Sequence, residues 1–245
     1  MTSLGRAVQC VTRRAPLAPT AQFKQSMFQI PLRLLSTSIG RKVLMSITGL
    51  LLVGFLIVHL LGNLTLFMDD GGATFDAYSD ALVSNPLLPL AELGLLLLFA
   101  AHIALGLRVS LQNREARGEP YVARATMGQA TPGSRTMLIS GLLVLIFLII
   151  HLLDFRLHGG EEVHESIAAQ VIERLRGGPG ALIYCLGMAA LGLHLSHALR
   201  SSLQSLGLAD TRCYPCLARA GRFLAAVMAL GFASFPLYFF FINKA

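Results

Sequence analysis

Histidine is concentrated in the most apolar parts of this chain. Five of its seven histidines fall within long apolar segments, namely His59, His102, His151, His194 and His197. An imidazole can ligate a transition metal through a ring nitrogen, or exchange a proton near neutral pH. Ionisable side chains are rare in membrane-spanning segments and mark a function by default when they occur there. A single such histidine is commonly a core residue bonded to the backbone, whereas a set spread over several segments indicates a shared role.

The composition is that of a membrane protein. Of the 245 residues, 54% are hydrophobic and 13% are charged, whereas soluble domains carry about 25% charged residues. Five apolar runs have the length of about 20 residues that a helix needs to span a bilayer, and they cover 44–67, 87–109, 136–157, 180–206 and 222–242. We therefore expect an all-α integral membrane protein, with a five-helix transmembrane bundle in residues 38–245 and a basic arm in residues 1–37.

The basic residues predict the orientation of this bundle. Sixteen of the 20 lysines and arginines lie before the first helix, between the second and third, or between the fourth and fifth. Membrane proteins keep such residues on the cytoplasmic side, so we expect a cytoplasmic N-terminus, with the arm on that side, and an external C-terminus. The first 43 residues lack Asp and Glu, which is also typical of a transit peptide, but we favour a retained arm. The net charge of +7 then requires no nucleic-acid partner.

Four of the histidines form two pairs by depth. Helices rise about 1.5 Å per residue, so His59 and His151 lie roughly 9–12 Å from the outer ends of the first and third helices. His102 and His194 lie on helices that run inward, and each precedes an arginine by six residues. This spacing places both about 9 Å from the inner boundary. One pair therefore lies in the outer half of the membrane and the other in the inner half.

Such pairs suit haem ligation. A six-coordinate haem iron requires two axial imidazoles on facing helices, because the porphyrin supplies the other four nitrogens. Two pairs predict two bis-histidine haems b and a path for electrons across the membrane. Glycines near the histidines would leave room for a flat macrocycle, or are ordinary close-packing positions of membrane helices: Gly54, Gly62, Gly106, Gly141, Gly187 and Gly192.

The fourth predicted helix carries two histidines in the sequence HLSHALR (194–200). His194 stands six residues before Arg200, the same spacing that separates His102 from Arg108, so we assign His194 as the ligand. His197 lies one turn nearer the inner surface, where it could bond a haem propionate or a partner subunit, or simply pack. We count His197, Arg108 and Arg200 as candidate cofactor-binding residues that do not ligate iron.

Glu92 is the one acid that we place well inside a predicted helix, in the outer half of the second. A buried carboxyl at that depth could exchange a proton with a quinone. Alternatively, Glu92 is a hydrated carboxylate that the dipole at the helix N-terminus stabilises. We keep it as the candidate quinone or proton residue, with both roles open.

Two further motifs carry weaker signals. The external segment HGGEEVHESI (158–167) places His158 and His164 among acids and could bind a metal, although we favour a solvated loop. Cys213 and Cys216 have the spacing of a redox or metal site. Two thiolates alone complete neither a zinc nor an iron–sulfur site, so we expect an incidental pair.

Three stretches resemble the cytochrome b subunit of bacterial succinate dehydrogenase or fumarate reductase, in its five-helix form with both haems on one chain. They are SIGRKVLMSITGLLLVGFLIVHLLGNL (38–64), NPLLPLAELGLLLLFAAHIALGLRVSLQNREAR (85–117) and HLSHALRSSLQSLG (194–207). The resemblance covers about residues 36–242 and rests on the spacing of the four histidine-bearing helices. In that family the last ligand stands thirteen residues before a glycine that closes its helix, as His194 stands before Gly207.

The resemblance implies a lipid-embedded anchor subunit in the bacterial inner (cytoplasmic) membrane, bound to a flavoprotein subunit with covalent FAD and to an iron–sulfur subunit. It implies His59 and His151 as ligands of the distal haem, and His102 and His194 as ligands of the proximal haem. Electrons would pass from succinate through the partner subunits and both haems to a quinone, usually menaquinone, with no dicarboxylate site on this chain. Some fumarate reductases of this type carry a glutamate where this chain has Gly192, which favours succinate oxidation here.

Two other functions stay open. A stand-alone di-haem b cytochrome would exchange electrons between small carriers across the membrane, without partner subunits. A transporter could use the histidines to relay protons. We disfavour the transporter because such proteins commonly contain internal repeats and interrupted polar helices, and neither is evident in this sequence.

Overall fold

The computed structural model describes residues 37–115, 136–157, 166–208 and 214–241. Within them the chain forms no strand and seven α-helices: α1 Ser38–Asn63, α2 Ala73–Val83, α3 Leu88–Glu115, α4 Met137–Leu152, α5 Ile167–Arg176, α6 Gly178–Ser205 and α7 Tyr214–Phe241. A 3-10 turn, Leu64–Phe67, continues α1, and a π-helical turn, Leu153–Leu157, continues α4. The arm up to residue 36, His158, His164 and Cys213 lie outside the described residues.

In the part of the chain that the structure describes, five segments are long and apolar enough to cross a membrane: Ser38–Phe67, Leu88–Asn113, Met137–Leu157, Gly178–Ser205 and Pro215–Phe241. The prediction of an all-α bundle with five membrane-spanning helices is confirmed. The first helix begins before its apolar run, because the Thr37 side chain accepts a hydrogen bond from the Gly40 amide at 3.1 Å and caps α1. We call the end of the bundle at which α1 begins the inner end, and the opposite end the outer end. That the inner end faces the cytoplasm stays a prediction.

Helix α6 lies at the centre of the bundle, where it packs against α7, α4 and α1. The buried core between α6 and α7 includes Met188, Leu191, Leu195, Ala225 and Met228. Helix α3 packs mainly on α1, and several of its leucines are exposed, among them Leu90, Leu93, Leu96 and Leu97. Lipid tails are as apolar as leucine, so this face of α3 is suited to contact with lipid.

Two short helices, α2 and α5, cover the outer end, where the sequence predicts only loops. Asp70 precedes α2, and its carboxylate accepts from the amides of Gly72 and Thr74, at 3.0 and 2.9 Å, and from the Thr74 hydroxyl. These bonds, the hydroxyl first, hold the pKa of Asp70 below its usual range. Asp76 Oδ1 in α2 accepts from the Ala168 amide at 2.9 Å, at the start of α5. Because that amide lies in the first turn of α5, Asp76 joins the two short helices.

The α1–α3 unit and the α4–α6 unit are two copies of one pattern. MSITGLLLVGFLIVHLL (45–61) and MLISGLLVLIFLIIHLL (137–153) share 11 of 17 residues at an offset of 92 positions. At the same offset LRVSLQ (107–112) and LRSSLQ (199–204) share five of six residues, and His102 matches His194. The expectation that the chain lacks an internal repeat is therefore wrong, and one of the two arguments against a transporter falls. Apolar composition hides this repeat, and only the aligned His, Gly and Phe positions reveal it.

Candidate cofactor site

Four histidines meet in two pairs, one towards each end of the bundle. The outer pair joins α1 and α4: the ring centroids of His59 and His151 are 5.9 Å apart and their planes lie at 82°. The inner pair joins α3 and α6: the centroids of His102 and His194 are 6.5 Å apart, again with planes at 82°. The structure thus brings together the same partners that depth and the family resemblance assign.

The spacing within each pair fits two ligands of one metal ion. A metal–imidazole bond is about 2.0–2.1 Å long, so two imidazoles on opposite sides of a metal have ring centroids on the order of 6 Å apart. Among the described residues, no group of three or more His, Cys, Asp or Glu could hold a metal ion. A metal at either pair would therefore have to bring its other ligands with it, as the iron of a porphyrin does.

Two hydroxyl groups fix the ring orientation of the inner pair. The Thr48 hydroxyl donates to backbone carbonyls one turn earlier in α1, at 3.0 Å, and its oxygen lies 3.1 Å from Nδ1 of His102. Since the hydroxyl proton is used there, the oxygen accepts from Nδ1–H, and Nε2 keeps its lone pair for a metal. Ser140 of α4 does the same for His194, with a bond of 3.1 Å to the backbone and a longer contact of 3.4 Å to Nδ1.

A glycine beside each hydroxyl gives the inner imidazoles their space. A Cβ atom at Gly49 would lie 3.1 Å from Cε1 of His102, and one at Gly141 would lie 3.3 Å from Cε1 of His194. Real Cβ atoms rarely approach so closely. The Thr48–Gly49 pair and the Ser140–Gly141 pair are equivalent positions of the repeat, so both copies contact an inner histidine in the same way.

The other glycines that the sequence singles out divide into two groups. Cβ atoms at Gly62, Gly187 and Gly192 would lie within 3 Å of Tyr78, Phe147 and Ala229 side chains, so these three are close-packing positions. Gly54 and Gly106 have no such neighbour within 4 Å. Only these two keep open space of the kind that a flat macrocycle would need.

Aromatic rings surround the outer pair. Phe55 stacks on His59 with centroids 5.4 Å apart, and Phe147 stacks on His151 at 6.0 Å. Each phenylalanine stands four residues before its histidine, at equivalent positions of the repeat. Phe232 of α7 adds a third ring, 5.7 Å from His59. These large apolar rings give the outer pair an apolar surrounding.

The inner end carries the remaining cofactor-binding candidates. His197 and Arg200 are half-buried on α6, between His194 and the end of the helix, and Arg108 is exposed on α3. Arg41, in the first turn of α1, is buried at the same end, and its Nε donates to Oε1 of Gln112 at 3.1 Å. Cations at this end could bind carboxylate groups through charge-assisted hydrogen bonds.

Glu92 is paired with an arginine at the outer end. Its two carboxylate oxygens accept from Nε and a terminal nitrogen of Arg156, at 3.0 and 3.1 Å. The Arg156 and Glu92 side chains are 64% and 42% exposed, so the pair faces away from the core. It joins α3 to the π-helical turn after α4. A proton role for Glu92 would require this pair to open.

Sequence reasoning missed the residues behind the imidazoles. Thr48, Ser140 and Tyr184 each lie against Nδ1 of one histidine. The repeat holds a signal for Thr48 and Ser140, which occupy equivalent positions before a glycine. No sequence signal marks Tyr184, because its contact depends on how α6 packs on α4. Sequence reasoning also leaves out Asp154, a second acid in a predicted helix, because it lies three residues from the end of its apolar run.

Part of the chain matches a known protein family. Residues 41–127 match the family model described as succinate dehydrogenase/fumarate reductase transmembrane subunit. No curated protein and no solved structure matches the chain. The matched residues contain α1 from Arg41 onwards, α2 and α3, and with them His59, His102 and the Thr48–Gly49 pair. Over this part, which is 87 of the 245 residues, the chain is similar to the transmembrane subunits of succinate dehydrogenase and fumarate reductase.

Proposed function

We propose that this chain is the membrane-anchor subunit of a succinate:quinone oxidoreductase and that it binds two haems b. His59 and His151 would hold one, and His102 and His194 the other. The observation that carries the proposal is the occurrence of two histidine pairs at metal-bridging distance in a chain whose first two spanning helices match this family. When bound, each haem would supply a one-electron iron couple.

The chain's own residues would orient the ligands. Thr48 and Ser140 would accept from Nδ1–H and so leave Nε2 of His102 and His194 free to bind the metal. Gly49 and Gly141 let these rings approach their neighbouring helices. At the outer pair, Phe55 and the other aromatic rings limit ring rotation and exclude water. These residues would hold the imidazoles in fixed orientations for a bound haem.

The repeat sets the distance between the two sites. Thr48, which touches His102, precedes His59 by eleven residues on α1, and Ser140 precedes His151 by the same number on α4. At about 1.5 Å per residue, the two pairs are offset by roughly 16 Å along the bundle, about half of a hydrocarbon core of roughly 30 Å. This arrangement supports an electron path between the two levels of the membrane.

The proposed path begins at the inner end. The iron–sulfur subunit would dock there and deliver electrons that the flavoprotein subunit takes from succinate at its FAD. His197, Arg108 and Arg200 would bind cofactor carboxylates at this end. A quinone in the membrane, which we take to be menaquinone, would accept the electrons. Glu92 is a candidate proton donor to this quinone once its pair with Arg156 opens. The setting would be the inner membrane of a bacterium.

Co-purification separates this proposal from a stand-alone di-haem cytochrome. A tagged chain should be isolated from membranes in mild detergent, and flavin, iron, acid-labile sulfide and haem should be counted per chain. We expect covalent flavin and iron–sulfur partners to accompany the chain in a fixed ratio. Haem in the chain without flavin or sulfide would favour the stand-alone cytochrome.

A further inference from the structure

Asp154 is a carboxylate within a membrane-spanning segment, where such groups are costly and default to a functional interpretation. It lies three residues after His151, where α4 passes into the π-helical turn Leu153–Leu157. Single π-helical turns are frequent at functional sites. The Asp154 side chain is only 18% exposed, so the protein itself must provide its partners.

The partners of Asp154 connect it to the outer histidine pair. Oδ2 accepts from Nε of Arg174 at 2.8 Å and from the Tyr184 hydroxyl at 2.9 Å. The phenol oxygen of Tyr184 also lies 3.5 Å from Nδ1 of His151. Since the phenol proton is directed at Asp154, the oxygen is left to accept from Nδ1–H of His151. A chain of contacts therefore runs from His151 through Tyr184 to a carboxylate.

The inner pair has no equivalent of this chain among the described contacts. There, the hydroxyls behind His102 and His194 donate hydrogen bonds to neutral backbone carbonyls. The positions that match Tyr184 and Asp154 in the first copy of the repeat are Glu92 and Gly62. The chain behind His151 is thus one of the places at which the two copies depart from each other, so the shared helix pattern alone does not account for it.

We propose that Tyr184 and Asp154 are positioning residues that make the outer site electrostatically different from the inner site. Tyr184 holds His151 with Nδ1 protonated and Nε2 free, and Asp154 places a negative charge behind that ligand. A histidine whose other nitrogen donates towards a carboxylate is a more basic ligand, which favours the more positive, oxidised iron. The proposal rests on the haem ligation put forward under the proposed function.

A redox titration of the purified complex tests this inference. Asp154→Asn removes a negative charge and leaves the positive charge of Arg174 uncompensated. Both effects favour the less positive, reduced iron. We expect the outer haem's ferric-to-ferrous equilibrium to shift on the order of tenfold, which is 59 mV for a one-electron couple, towards a higher potential. Tyr184→Phe should shift it in the same direction, Asp154→Glu should restore the original value, and the inner haem should not change.

Asp76→Asn is the matched control. Its carboxylate also lies at the outer end, but bonds the Ala168 amide of α5, so both potentials should stay where they are. If Asp154→Asn fails to assemble, Tyr184→Phe carries the test, because it keeps the ring that packs against Phe147 and Phe155. An unchanged outer potential in either variant, or an equal shift of both haems, overturns the inference. A wild-type complex without haem would instead overturn the proposed function.

Discussion

At the scale of single residues, hydroxyl groups behind His102, His151 and His194 orient these imidazoles. His102 illustrates this: the Thr48 hydroxyl donates to the backbone and therefore accepts from Nδ1–H, which leaves Nε2 for a metal. Depth along a helix pairs the four histidines from the sequence, because rise per residue is constant. The repeat marks Thr48 and Ser140 in the sequence, whereas Tyr184 cannot be predicted there, because its contact with His151 depends on which helix faces which.

Thr48→Val removes this acceptor and keeps the side-chain shape. We expect the inner site to hold haem about tenfold more weakly, at the low end of the usual effect of such a change, because the Met45 carbonyl also bonds His102. The measurement is haem loss from the inner site of the purified complex, followed by its absorbance. Thr65→Val is the control, since Thr65 bonds the Gly62 carbonyl and no histidine contact is shown for it. Equal haem loss in both variants would contradict the role given to Thr48.

At the scale of elements, apolar length predicts the five spans and fails for the short helices of the outer end. Helices α2 and α5 are short, and their sequences carry charges, so neither forms an apolar run. Their start signals are local: Asp70 and Ser166 accept from nearby backbone amides, as residues at helix N-termini commonly do. Their packing on each other depends on the tertiary structure and has no local sequence signal. The Asp76 carboxylate and the backbone at Gly72 make this packing possible.

Gly72→Ala tests this packing. Gly72 has φ +97°, and a Cβ atom there would lie 2.5 Å from Cβ of Ala168 in α5. We expect the free energy of unfolding to fall by several kcal/mol. Of this, roughly 1–2 kcal/mol reflects the left-handed backbone, and the rest reflects the overlap of the added Cβ atom with Ala168. The measurement is a lower thermal unfolding midpoint of the purified complex. Gly71→Ala separates the two causes, because Gly71 has φ +68° and no neighbour within 4 Å of the added atom. Equal losses in the two variants would mean that α2 and α5 do not pack as described.

At the scale of the whole molecule, a duplicated two-helix unit explains why there are two histidine pairs. α1 and α4 each carry one histidine of the outer pair, and α3 and α6 each carry one histidine of the inner pair, so neither copy forms a pair alone. Each pair takes one histidine from each copy, and this requires the two copies to pack side by side. α7 carries no histidine and completes the core against α6.

The most direct test of this account is the number of haems per chain, read from the dithionite-reduced minus oxidised spectrum of the purified complex. We predict two b-type haems in the wild type and one in His59→Ala, because that change removes a ligand from the outer pair and leaves His102 and His194 in place. His197→Ala is the matched histidine variant and should keep both haems, because it removes a proposed carboxylate contact and no proposed iron ligand. A wild-type spectrum without haem, or a His59→Ala complex that retains both, would contradict the assignment of the histidine pairs.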